Sequence, residues 1–179
     1  TIQFFRFAKT LASREKTRVG LLVRPPLAEL LKQQGFSAHT QPPERREYDF
    51  HFPLMSVPNA MGVSLGNIPF AQSPYLFANE RSRQKWLARI PKKKSPLIGL
   101  VWRTGTASKI TGRSIPLSEL IPLSTQGLIT VGLQNENTSS ERELVRKLAP
   151  SFYIPQEEQV DFSDTAGIIA ALDLVISVD

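Results

Sequence analysis

Cysteine is absent from the 179 residues, so a disulfide framework and a thiolate metal site are both excluded, and the composition fits a reducing compartment. Histidine occurs only twice, and the acids never fall beside it at a recognisable ligand spacing, so no metal site is expected. No apolar run approaches the ~20 residues that cross a bilayer. The first residues lack the charged, apolar, then small pattern of a signal peptide. No internal repeat is visible. What remains is a soluble globular composition, 41% hydrophobic and 21% charged, with length for one good core or two small ones. The net charge of +6 favours phosphate-bearing ligands as readily as nucleic acid. A cytoplasmic protein is the expectation.

Helical and strand-like patterns alternate along the chain. Ile2, Phe5, Ala8, Leu11 and Ala12 have helical spacing, and Val19–Val23 reads as a buried strand. Pro25-Pro26 opens a helix, Leu27–Gln34, that Gly35 stops. Ala38–Glu47 reads as a surface loop, Tyr48–Phe52 alternates like a strand, and Ile68–Leu76 reads as extended. A helix is expected over Asn79–Ile90. The proline-bounded stretch Pro91–Pro96, with Lys92, Lys93 and Lys94, is the best linker candidate. Beyond it come a buried strand at Leu97–Trp102, a short helix Leu117–Leu123 broken at Pro122, and a strand at Leu128–Leu133. A helix at Ser139–Leu148, an edge strand at Phe152–Ile154, a helix at Ser163–Leu172 and a buried strand at Leu174–Val178 complete the alternation. The fold class is therefore α/β with parallel sheets, in two Rossmann-like units. They span 1–90 and 97–179 and are joined by the linker at 91–96. Both ends read as cut.

The stretch Leu97–Leu117 carries the clearest chemistry. A buried strand empties into a loop of small, hydroxylated and glycine residues, and a helix follows. Backbone N–H groups, hydroxyls and cations then converge on one spot, as in many phosphate sites. Candidates are Trp102, Arg103, Thr104, Gly105, Thr106, Ser108, Lys109, Arg113 and Ser114. The loop fits neither Gly-x-Gly-x-x-Gly nor the Walker pattern, and an ordinary strand-to-helix turn is the competing reading. His51 closes the Tyr48–Phe52 segment, where it can serve as a general base on a hydroxyl or as a half-buried histidine bonded to Asp49 or the backbone. Asp161-Phe162-Ser163-Asp164-Thr165 combines a helix cap with two carboxylates. Asp179 ends a strand, at the sheet edge where open α/β folds place ligands. The three linker lysines lack interleaved aromatics, so no nucleic acid is expected.

Three blocks, in order, resemble one family. Tyr48-Asp49-Phe50-His51-Phe52-Pro53-Leu54-Met55-Ser56-Val57-Pro58 resembles an Asp-x-His-x-Pro-Leu-Met-Ser-Leu-Pro block. Ile98–Trp102 with Arg113-Ser114-Ile115-Pro116-Leu117 resembles Gly-Leu-Val-Trp followed by Arg-Ser-Ile-Pro-Leu. Asp161–Ala166 and Ala170–Asp179 resemble Asp-Phe-x-Asp-Thr-Ala followed by Ala-Ala-Leu-Asp-Leu-Val-Ile-Ser-Val-Asp. The chain is thus similar to the glycosyltransferase-like domain that follows tetratricopeptide repeats in bacterial proteins, a relative of the heptosyltransferases of glycosyltransferase family 9.

That resemblance implies an incomplete GT-B arrangement, with the acceptor on the first unit and the nucleotide-sugar donor mainly on the second. It implies a base that deprotonates the acceptor hydroxyl, the role for which His51 is the candidate. Trp102 to Ser114 would form the loop beneath the donor diphosphate, and Arg113 a cation near it. Asp164 and Thr165 belong to its third block, and Asp179 matches the Asp of its Asp-Thr-x-x-x-His segment. No metal and no cofactor beyond the sugar nucleotide are implied, because helix dipoles and cations stabilise the leaving diphosphate. The implied partners are a nucleotide-sugar donor, a glycan or protein acceptor and, in the parent, tetratricopeptide repeats. Two departures stand out: Arg103-Thr104-Gly105-Thr106 replaces the family's Ala/Ser-Gly-Asn/Ser-Pro, and the segment after Asp179 is missing. The expected function is transfer of a sugar from a nucleotide sugar to a hydroxyl by the parent protein, with this fragment inactive. The alternative is a non-catalytic or truncated module that binds a nucleotide, a glycan or a protein. A sugar-nucleotide epimerase on the same fold is a third reading.

Overall fold

The computed structural model describes residues 1–14, 17–44, 46–91, 95–104, 112–125, 127–134, 136–149, 151–155 and 159–178. The chain packs as two units, Thr1–Ala78 and Asn79–Asp179, each built on a parallel sheet.

The first unit runs α1 (Phe5–Ala12), β1 (Gly20–Leu22), α2 (Pro25–Gln33), β2 (Ser37–His39) and the single turn α3 (Val57–Ala60). Pro25 and Pro26 occupy the first helical positions of α2, where no N–H is needed. Gly35 leaves the helix at φ 84°, a conformation open to glycine without a Cβ clash. β1 and β2 pair in parallel, Gly20 opposite Ser37 and Leu22 opposite His39. Successive residues face opposite ways. Leu21 and Val23 therefore join Phe5, Ala8, Ala28 and Leu31 in the core, while Leu22 points outward, 59% exposed.

The strand expected over Tyr48–Phe52 does not form. Tyr48 instead lies flat on β1, so close that a Cβ on Gly20 would fall 2.1 Å from its hydroxyl oxygen. Phe50 and Phe52, which alternation would place on the same side as Tyr48, are strongly exposed, and Pro53 follows. The second strand of this sheet is β2, inside the stretch read as a loop. Residues 69–77 are tied to α1 by its cations. The Arg6 guanidinium lies 4.4 Å over the Tyr75 ring, and Lys9 Nζ donates to the Tyr75 carbonyl at 3.3 Å. Lys9 Nζ also lies 5.3 Å over the ring of Phe70, whose φ of 53° is a left-handed backbone that costs a bulky residue about 1–3 kcal/mol.

The second unit runs α4 (Glu80–Arg89), β3 (Leu97–Val101), α5 (Leu117–Thr125), β4 (Ile129–Gly132), α6 (Ser139–Leu148), β5 (Phe152–Tyr153), α7 (Phe162–Ile169) and β6 (Leu174–Ser177). All four strands are parallel, in the order β5-β4-β3-β6. The chain therefore steps outward from β3 to β5, then returns to the other side of β3. This is the strand order of the first half of a doubly wound sheet.

Both faces of β3 and β4 are covered, which explains why these strands read as continuous apolar runs. Ile98, Leu100 and Trp102 face α5 and α6, meeting Leu117, Ile121, Val145 and Phe152. Ile129, Val131 and Leu133 face α4 and α7, meeting Trp86, Ile90, Ile168 and Ala171.

Three expectations change here. Helix α4 packs on α7 within the second unit, so the units divide between Ala78 and Asn79 rather than at Pro91–Pro96. The apolar face of α4, Trp86 and Ile90, is what draws it there. Helix α5 continues through Pro122 to Thr125. The proline removes a single helical hydrogen bond, and Ser118, whose carbonyl would accept it, is exposed. β6 is an exposed edge strand, not a buried one: its side chains alternate between the two faces of the sheet and are exposed on both.

Helices α4 and α7 approach closely at Gly167. A Cβ there would fall 2.2 Å from Ser82 Oγ and 3.0 Å from the Ser82 backbone carbonyl carbon. Alanine is the better helix former by about 1 kcal/mol, yet overpacking costs about 1–3 kcal/mol. Gly167→Ala should therefore lower the urea midpoint. An unchanged or raised midpoint would show that the helices separate at no cost.

Candidate functional site

The carboxyl ends of β3 and β6 lie side by side, since the Val178 N–H donates to the Val101 carbonyl at 3.0 Å. They are the strands between which the order reverses. Open α/β sheets bind ligands in the crevice at such a reversal, outside the carboxyl ends of the strands. The chain that leaves β3 at Trp102 also comes back to it, because the Ile115 N–H donates to the Trp102 carbonyl at 2.8 Å. Trp102, Arg103 and Thr104 are thereby gathered at one end of the sheet with Arg113 and Ser114. Gly105, Thr106, Ser108, Lys109 and Asp179 lie outside the described residues.

A carboxylate outside the loop motif organises this end. Glu141 Oε1 accepts from the Trp102 indole N–H at 2.8 Å and from Arg103 Nε at 3.1 Å. Its Oε2 accepts from the Thr138 N–H at 2.7 Å, and Thr138 Oγ1 accepts from the Glu141 N–H in return. This reciprocal pair is a capping box at the start of α6. Burial by itself would raise the Glu141 carboxyl. The hydrogen bonds from Arg103, Trp102 and Thr138 outweigh it and bring the group down from 4.5 to about 2. Arg103 also donates to the Glu136 carbonyl, and its N–H donates to the buried Gln134 Oε1 at 3.3 Å. It is a pinned, half-buried cation, not a solvated loop residue. The signal for Glu141 was in the sequence as Thr138-Ser139-Ser140-Glu141, the capping-box pattern, although nothing in that pattern announces its reach to Trp102.

The other candidates fall elsewhere. Arg113 and Ser114 are exposed in the segment that enters α5. Asp161 caps α7, accepting from the N–H groups of Ser163 at 2.7 Å and Asp164 at 3.2 Å. Asp164 turns toward α4. Its Oδ1 accepts from Lys85 Nζ at 2.6 Å and from the Trp86 indole at 3.2 Å, and Oδ2 accepts from the Val160 N–H at 3.0 Å. Burial opposes ionisation here too, but Lys85 and the Val160 N–H prevail and hold the carboxyl below its ordinary range. Thr165 Oγ1 donates to the Asp161 carbonyl and accepts from Gln159. Both residues serve the packing of α7, and their polar groups are committed to it. His51, in the first unit, is exposed on an irregular segment and makes no hydrogen bond among the described residues.

A shallow groove of about 690 Å³ runs beside α6 and the β5 edge, lined by Arg142, Arg146, Phe152 and Tyr153 among others. Among the described residues, no group of three His, Cys, Asp or Glu is placed to hold a metal ion. No described helix is long and apolar enough to cross a membrane. No family model, curated protein or solved structure gives a significant match to the chain.

Glu141 binds its proton more weakly folded than unfolded. Its stabilisation is therefore complete above pH 4.5 and disappears as the pH falls toward about 2. Glu141→Gln should cost about 1–2 kcal/mol at neutral pH, discounted for partial exposure of the ion pair. Thermal melts of the two proteins should converge as the pH is lowered through that window. Parallel melting curves down to pH 2 would mean that the carboxylate charge contributes nothing.

Proposed function

We propose that the second unit binds the nucleotide diphosphate of a sugar-nucleotide donor at the carboxyl ends of β3 and β6. On this reading the parent protein transfers the sugar to a hydroxyl acceptor held by the first unit, in the GT-B manner. The observation that carries it is the reversal of strand order between β3 and β6. It sets a ligand crevice beside the very loop that the Gly-Leu-Val-Trp and Arg-Ser-Ile-Pro-Leu blocks bracket. The hydrogen bond from the Ile115 N–H to the Trp102 carbonyl adds support, because it brings the Arg113-Ser114 segment back to the end of β3. In the reaction so read, the acceptor hydroxyl loses its proton to a base and attacks the anomeric carbon. The bond to the diphosphate oxygen then breaks, and cations at the loop stabilise the charge that leaves with the nucleotide.

One observation favours the second reading, a binding module without turnover. Arg103 is already neutralised by Glu141, which leaves less positive charge for a departing diphosphate. The two readings separate on release of nucleoside diphosphate from a panel of UDP, GDP and ADP sugars by the full-length parent protein. Binding without release supports the module, and neither binding nor release overturns both. Arg113→Ala should weaken nucleoside diphosphate binding at least tenfold, or ~1.4 kcal/mol. An unchanged dissociation constant, measured by calorimetry, removes Arg113 from the site.

A further inference from the structure

The outer edge of β5 and the neighbouring side of α6 bound the groove of about 690 Å³, and both belong to the second unit. β5 pairs only with β4. The Thr130 N–H donates to the Ser151 carbonyl at 3.0 Å, which fixes the direction of the main-chain groups along the strand. Successive residues of a ladder turn their N–H and C=O to opposite sides. Ser151 and Tyr153 therefore face β4, while Phe152 and Ile154 turn their groups outward. The Phe152 N–H is satisfied by the Ala149 carbonyl at 2.9 Å. The Phe152 carbonyl and the Ile154 N–H have no hydrogen-bond partner among the described residues. The groove itself is apolar on its floor, where Val145 and Phe152 are buried, and cationic on its α6 wall. Arg142 and Arg146 stand there one helical turn apart, both exposed. Arg142 donates to the Asn137 carbonyl at 3.4 Å, and neither guanidinium has a carboxylate partner among the described residues. Glu143, which also lines the groove, is paired with Lys147 Nζ at 2.7 Å.

We propose that this groove docks an acidic segment of a partner protein, bound in extended form as an added strand on β5. A peptide running parallel to β5 meets both outward groups with one residue. Its N–H donates to the Phe152 carbonyl, and its C=O accepts from the Ile154 N–H. That residue lies beside Tyr153 and shares its face of the sheet. The residues before and after it point to the opposite face, the one on which Phe152 and Ile154 meet Val145 of α6. Alternate residues of a strand are about 6.5 Å apart, and side chains four apart on a helix start about 5–6 Å apart. Glu-x-Glu or Asp-x-Asp therefore sets one carboxylate at each guanidinium, which takes it in a two-point fork. β5 is only two residues long, so main-chain bonds are few and the paired charges set the specificity. A nucleic acid fits less well. Two cations neutralise few phosphates, and the Phe152 ring is buried, edge to face with Trp102 at 6.1 Å, with no open face for a base to stack on.

The test titrates fluorescein-labelled Ser-Val-Glu-Val-Glu-Val-Ser into the protein and reads binding by fluorescence anisotropy. Three changes are compared: Gln in place of both Glu in the peptide, N-methylation of the peptide's central valine, and the protein carrying Arg142→Glu with Arg146→Glu. The expected result is saturable binding of the Glu peptide, weakened at least tenfold by each change. Ser-Val-Lys-Val-Lys-Val-Ser should bind the doubly substituted protein at least tenfold more tightly than the unaltered one, and the melting temperature of that variant reports separately on folding. No saturation by about 1 mM peptide overturns the docking site. Equal binding of the Glu and Gln peptides, or affinity for the Glu peptide within threefold in the double variant, overturns the role of the two arginines. Undiminished binding of the N-methylated peptide overturns strand addition. An oligothymidylate that binds more tightly than the Glu peptide, and is lost in the double variant, overturns the protein partner in favour of nucleic acid.

Discussion

Each of the two tryptophans is fully buried, and they occupy opposite faces of the four-stranded sheet. A buried indole brings a large apolar surface and one N–H that must find an acceptor. Here both N–H groups find a carboxylate, Glu141 for Trp102 and Asp164 for Trp86. A carboxylate drawn out of water then needs positive charge, which Arg103 and Lys85 supply. The same physical demand is thus met twice, once on each side of the sheet. On one side it fixes α6 against the end of β3. On the other it fixes α7 against α4, and so gives α4 to the second unit.

The two described cations of the candidate loop differ in their surroundings. Arg103 stands nearest to the end of β3 but is spoken for by Glu141 and the Glu136 carbonyl. It lends rigidity to the floor of the crevice more than free charge. Arg113, on the segment that returns to the end of β3, is exposed.

Much of the second unit was legible in the sequence because its signals are local. Apolar runs bounded by polar loops mark strands buried on both faces, and Ser139–Leu148 emerges as a helix with the residues its pattern indicates. The first unit was harder to read. Its sheet has two short strands with one face largely open, so alternation carried little information, and Tyr48–Phe52 imitated a strand while answering to a contact with Gly20. Site residues divide the same way. Trp102 and the return at Arg113 could be found from motif order. The Glu141–Arg103 and Asp164–Lys85 pairs could not, because they join residues 38 and 79 positions apart and depend on which helix packs on which face.

The exposed outer side of β6 has a further bearing on how this chain behaves in solution. Leu174, Val175 and Ile176 are all more than a third exposed, and neither a proline nor a lysine interrupts the strand. Such an edge offers a row of main-chain donors and acceptors, backed by branched apolar side chains, to any extended polypeptide nearby. It is a template. Whatever pairs with it decides whether the sheet grows in an orderly way or recruits unfolded chain into insoluble assemblies, so colloidal stability and the completeness of the sheet are here one and the same property.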